Sequence, residues 1–212
     1  MQKNVYSIVL SSDVIAAIDR LAYSNGTSRS NMINQILAEY VSYTTPEKRL
    51  GDIFKRAVEL IEDTEQLQLM LRPSDTMLSL KSALRYKYNP TVRYSVELYK
   101  DSEALGELRV SLRTQSSGLI YYIDSFFRLW QRTEERQLEN SPSSERAEGR
   151  YSRLLKCPEC KDGDLLGEAI VSYVGLMDRC MKLFFACVGQ ETSVEDKIDK
   201  LYAEYKKSNT LL

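Results

Sequence analysis

The chain opens on a short alternation that gives way to helical spacing. Tyr6, Ile8 and Leu10 fall on one side of residues 5–10, and Val5, Ser7 and Val9 on the other, the period-two pattern of a strand. Ser11-Ser12-Asp13 interrupts it. Val14, Ile15, Ala17, Ile18, Leu21 and Ala22 then recur at helical spacing, with Gly26 placed for a left-handed C-terminal cap. Ser28 is the expected N-cap of a second helix, whose apolar face is Met32, Ile33, Ile36, Leu37, Tyr40 and Val41. Thr45-Pro46 starts a third helix, expected to run to about Leu71 and to bury Leu50, Ile53, Phe54, Ala57, Val58 and Ile61. So short a strand has no partner nearby in sequence. It needs one from another chain, which predicts a homodimer through this strand.

Past Arg72-Pro73-Ser74-Asp75 the pattern predicts three strands. Leu84, Tyr86 and Tyr88 alternate with Arg85 and Lys87. Val92, Tyr94, Val96 and Leu98 alternate with Arg93, Ser95 and Glu97, and Leu108, Val110 and Leu112 with Arg109, Ser111 and Arg113. This is an antiparallel meander with one dry and one wet face. A helix over about 117–138 supplies its cover. Residues 140–150 are rich in Ser, Glu and Arg and are expected to form a flexible linker, followed by helices over about 165–188 and 194–207, the last opened by a capping box at Ser193 and Asp196. The expected fold is α+β and mainly helical. Its segments are 1–44 (strand-helix-helix), 45–72 (connecting helix), 73–139 (three-stranded sheet and cover), 140–150 (linker) and 151–212 (a CxxC turn and helices).

Composition narrows the chemistry. Net charge is −1, so bulk charge argues for no nucleic acid, and any such contact must come from local arrangement. Histidine is absent, which removes the commonest general base and zinc nitrogen ligand, and with them Ser-His and Cys-His nucleophile pairs. No glycine-rich phosphate loop followed by Lys-Ser/Thr occurs. The expectation is a protein that is not an enzyme. No run approaches the ~18 apolar residues of a membrane span, and Met1-Gln2-Lys3-Asn4 has no signal-peptide layout. A cytoplasmic protein with no membrane partner is expected.

The N-terminal order of strand, helix, glycine turn and helix resembles the ribbon-helix-helix family of DNA-binding proteins, the MetJ and Arc type. The residues that carry the likeness are Val5-Tyr6-Ser7-Ile8-Val9-Leu10-Ser11, the face Val14/Ile18/Leu21, Asn25-Gly26-Thr27-Ser28-Arg29-Ser30, and the face Met32/Ile33/Ile36/Leu37. It covers residues 3–44 alone. The resemblance implies a homodimer whose paired strands enter the major groove of double-stranded DNA. Lys3, Val5, Ser7 and Val9 would then read bases, and Ser28, Arg29 and Ser30 would hold a phosphate at a helix N-terminus. Two of the three central reading positions are valine, where the family usually has polar side chains. Valine packs on a thymine methyl but forms no hydrogen bond to a base edge.

Arg85, Lys87, Arg93, Arg109 and Arg113 outnumber the acids on the predicted wet face. Two readings stand: a solvated face with cross-strand ion pairs, or a site for an anion or nucleic acid. Cys157 and Cys160 form a CxxC turn with the look of a zinc knuckle. Cys180 and Cys187 are separated by about 10.5 Å of helical rise, whereas two sulfurs on one zinc lie about 3.8 Å apart, so both cannot join one ion. We favour no cofactor, with a zinc shared between two chains or completed by a carboxylate as the alternatives. The combined expectation is a homodimeric transcriptional regulator, such as a repressor. Its C-terminal part would take a small ligand or a protein partner, or extend oligomerisation. The alternative is a DNA-binding antitoxin or a plasmid partition or mobilisation accessory.

Overall fold

In a computed structural model describing residues 5–64, 66–100, 102–159, 162–188 and 194–212, the first helical pattern becomes α1 (Ser12–Ser24) and the second α2 (Arg29–Tyr40). The turn between them follows from one residue. Gly26 takes φ +60°, which lets the Thr27 N–H reach the Ala22 carbonyl (2.9 Å) and the Gly26 N–H reach that of Tyr23 (3.2 Å), the double closure of a left-handed helix cap. Ser28 then caps α2, its hydroxyl accepting from the Asn31 N–H. The chain divides into two compact units, Met1–Arg49 and Leu50–Leu212. Within the first unit Ile18, Ala22 and Met32 pack together, with Leu10 and Ile33 against them. Val5–Leu10 forms no helix and pairs with no strand of its own chain among the described residues.

α3 (Pro46–Glu62) starts after Thr45, whose hydroxyl accepts from the Lys48 N–H, and buries Leu50, Ile53, Phe54, Ala57 and Ile61. It stops short of the expected Leu71 because Gln68–Leu69 is drawn into the sheet as β1. The others are β2 (Met77–Ala83), β3 (Thr91–Leu98), β4 (Ala104–Leu112), β5 (Ser144–Ala147) and β6 (Arg150–Lys156). All five pairings are antiparallel, in the order β1-β2-β3-β4-β6-β5.

Three expectations give way to the structure. The three-stranded sheet is six-stranded. The strand expected over Leu84–Tyr88 lies earlier, over Met77–Ala83, and residues 84–90 are the turn into β3. Tyr88 and Asn89 take φ +68° and +42°, which no strand accommodates, and Tyr86 turns inward to pack edge-on against Phe185. The linker expected over 140–150 contains β5 and the tight turn at Gly149. Its polar composition suits an edge strand with exposed side chains.

The dry face is set by register. Leu78, Val96, Leu108 and Arg153 form one cross-strand row, and Leu80, Tyr94, Val110 and Tyr151 the next. α4 (Ser117–Gln137), α5 (Gly163–Ala186) and α6 (Val194–Ser208) contribute Phe126, Phe127, Trp130, Tyr173, Met177 and Tyr202 to the same core, which runs continuously from Leu50 to Leu212. The segments expected as 73–139 and 151–212 therefore share one core. At Gly106, beside a bulge in the β4–β6 ladder, any Cβ would collide with the Glu97 carbonyl oxygen of β3, so only glycine fits.

One carboxylate sits at the centre of this core. Glu134 and Arg153 are 3 % and 1 % exposed. Glu134 Oε1 accepts from the hydroxyls of Tyr173 (2.8 Å) and Tyr202 (3.2 Å), and Oε2 from that of Tyr151 (3.1 Å). Arg153 Nε lies 3.0 Å from Oε1 as an ion pair, although its N–H is not aimed along a hydrogen bond. Its Nη2 donates to the Leu212 carbonyl at 2.6 Å, and its guanidinium lies 4.4 Å from the Tyr173 ring centre. Trp130 Nε1 donates to the Tyr173 hydroxyl at 3.1 Å. Burial opposes the charge on Arg153, but the oxygens of Tyr173, Glu134, Tyr202 and Tyr151 outweigh it and hold the proton more firmly than usual. Burial, and then the Glu134 charge, push the Tyr151 and Tyr202 hydroxyls far above their ordinary range.

Candidate nucleic-acid interface

The first unit buries little of its own apolar surface. Val5 and Val9 are 98 % and 99 % exposed, and Tyr6, Ile8, Val14, Leu21, Ile36, Leu37, Tyr40 and Val41 are exposed as well. Tyr6 and Ile8 belong to the side of residues 5–10 patterned for burial, Val5 and Val9 to the opposite side, and the others to the expected apolar faces of the first two helices. Residues patterned for burial are thus uncovered within one chain. Leu10 alone of Tyr6, Ile8 and Leu10 is drawn against the small core. Ser7 is exposed between the two valines, and Lys3 lies outside the described residues.

Ser28, Arg29 and Ser30 are exposed at the start of α2. Ser28 satisfies the N–H groups of Asn31 and Met32 through its hydroxyl and its carbonyl. The N–H groups of Arg29 and Ser30 are left outward at the positive end of the helix dipole. The Arg29 side chain is already engaged: Nε and Nη2 each lie 2.6 Å from an oxygen of Asp19 on α1. This clasp holds the Asp19 carboxyl below its usual range. It was not legible in sequence, because the two residues lie on different helices and meet only once the Gly26 turn is formed.

The five basic residues expected on one wet face separate. Arg93 and Arg109 stand on the outward side of β3 and β4, and Arg113 follows β4. These three line a groove of about 890 Å³, together with Arg146 and Arg150 of the β5–β6 hairpin and the serines 95, 111 and 152. Arg109 pairs with Glu97 (2.9 Å) and Glu107 (2.5 Å), so the solvated ion-pair reading describes that residue. Arg93 and Arg113 have no carboxylate partner among the described residues. Arg85 and Lys87 are in the β2–β3 turn, Lys87 lying 5.3 Å above the Tyr88 ring. Arg85 faces a second groove, with Lys81, Arg179 and Lys182. Arg146 and Arg150 escaped notice because they stood in the supposed linker, and Lys81 because the strand was placed too late.

No family model, curated protein or solved structure matches the chain. The reading of the site therefore rests on its residues. Cys157 is partly buried and Cys160 lies outside the described residues. Among the described residues no three of His, Cys, Asp and Glu gather as a metal site would need. Cys180 is buried in α5, and burial pushes its thiol up to about 12. No helix of the described residues is long and apolar enough to cross a membrane.

Proposed function

We propose that the chain is a homodimeric, sequence-specific DNA-binding transcriptional regulator with a ribbon-helix-helix module in residues 3–44. The observation that carries this reading is the uncovered apolar face of Tyr6, Ile8, Leu21, Ile36 and Leu37 in a unit whose buried cluster, among the described residues, is Ile18, Ala22 and Met32. A second copy supplies both missing elements at once: a strand to pair with Val5–Leu10, and helices to cover the exposed faces. The opposite side of the ribbon, Val5, Ser7 and Val9, then enters the major groove. The backbone N–H groups of Arg29 and Ser30 meet a phosphate.

The Asp19 clasp gives this reading a specific test. In the dimer on DNA, Asp19 competes with phosphate for Arg29 and repels the backbone. Asp19→Asn is expected to tighten binding to all duplexes and to steepen the salt dependence by about 0.9 log units for each further phosphate neutralised. Arg29→Ala lowers affinity about equally for every sequence, whereas Ser7→Ala alters sequence preference. Labelled duplexes titrated at low and moderate salt report all three. A wild-type protein that binds no duplex in a salt-dependent way refutes the proposal.

A further inference from the structure

A second groove, of about 800 Å³, opens in the larger unit between the end of β2, the β2–β3 turn and the last turns of α5. We infer that it binds a small phosphate-bearing polyanion through Arg85, Arg179 and Lys182. All three line it, and no carboxylate among the described residues does. Among the described residues Arg85 and Arg179 have no ion-pair partner.

The third cation is placed from behind. Asp178, buried on α5, accepts a hydrogen bond from the Tyr94 hydroxyl at 2.9 Å and pairs with Lys182 Nζ at 2.6 Å. The sheet thereby holds the carboxylate and the carboxylate holds the ammonium at the groove. The groove wall also carries Ser82, a buried residue whose Oγ has no hydrogen-bond partner among the described residues. A buried hydroxyl left unpaired costs free energy that a ligand oxygen recovers. Gln68 adds an amide. The volume lies within the range of small-molecule sites, about 300–1,000 Å³, which favours a compact ligand over a nucleic-acid strand. Guanidinium and ammonium groups set together suit phosphate oxygens.

As the effector pocket of a regulator, the groove's role rests on the function proposed above; its binding of phosphate does not. Calorimetry of the full chain without DNA separates the two. Inorganic pyrophosphate and ATP are the phosphate probes, citrate the carboxylate probe and a short single-stranded oligonucleotide the backbone probe. Pyrophosphate or ATP is expected to bind once per chain. Arg179→Gln and Arg85→Gln should each weaken it at least about tenfold, the loss of one charge-assisted contact. Arg128→Gln, exposed on α4, should leave it unchanged. Both groove variants remove exposed charge and are checked for an unchanged unfolding midpoint. Binding of citrate or the oligonucleotide in place of the phosphate probes overturns the inference, as does no binding at all or binding indifferent to the two variants. A chain that takes pyrophosphate but no duplex keeps the site and loses only the regulatory role.

Discussion

Replacing Glu134 by Ala tests how the core is held together. The substitution strips the charge partner from Arg153, which is 1 % exposed, and the acceptor from the hydroxyls of Tyr151, Tyr173 and Tyr202. Breaking a buried ion pair from one side costs about 3–5 kcal/mol, because the remaining charge stays buried and uncompensated. The orphaned hydroxyls move the total toward the upper end, but these terms share one group and do not add. Set against a typical domain stability of about 5–15 kcal/mol, the loss is severe. Arg153→Met with Glu134→Leu removes both charges, so the double variant should lose at least about 2 kcal/mol less than the sum of the singles. Urea unfolding followed by tryptophan fluorescence reads this directly: Trp130 is the sole tryptophan and its Nε1 bonds to Tyr173 in the same network. A loss below about 1 kcal/mol for Glu134→Ala, or strict additivity in the cycle, refutes this account of the core.

Two further outcomes follow from the same fold. Gly106→Ala should destabilise by about 1–3 kcal/mol, because a Cβ there meets the Glu97 carbonyl. Gly51→Ala, where a Cβ meets open space in α3, should stabilise by about 0.5–1 kcal/mol; equal urea midpoints for the two contradict the reading. The hydroxyls of Tyr94, Tyr151, Tyr173, Tyr202 and Tyr205 are all raised by burial. A raised folded pKa gives stability that is full below the unfolded value near 10 and is lost as pH rises above it. Tyrosinate absorbance from this buried group should therefore appear only on alkaline unfolding. A single smooth titration of the folded chain would count against it.

Much of the architecture was legible where local signals agreed. Gly26, Ser28 and Thr45-Pro46 punctuate helices by backbone chemistry, which needs no tertiary context, and the apolar faces of α4 and α5 are continuous. β3 and β4 alternate cleanly because one face meets the core and the other water. The pattern failed where a charge faces inward. Arg153 occupies a core position of β6 and Glu134 one of α4, and only their mutual neutralisation makes this tolerable, which no single segment reveals. β5 is an edge strand with exposed polar side chains, so its composition mimics a linker. Along the candidate reading face Val5, Ser7 and Val9 are exposed, but so are Tyr6 and Ile8, so the alternation has no counterpart in the burial of one chain. The basic residues scattered, because Arg85 and Lys87 belong to a turn set by Tyr88 and Asn89.

The central claim, that Val5–Leu10 pairs with its counterpart in a second copy to make a DNA-reading ribbon, is tested most directly by selecting bound sequences from a pool of random duplexes. A two-fold ribbon imposes two-fold symmetry on what it selects. The expected result is an enriched palindromic site, lost when Ile8→Asp places a charge on the face that the partner must cover. Recovery of no sequence preference, of an asymmetric site, or of the same palindrome with the Ile8 variant would contradict it.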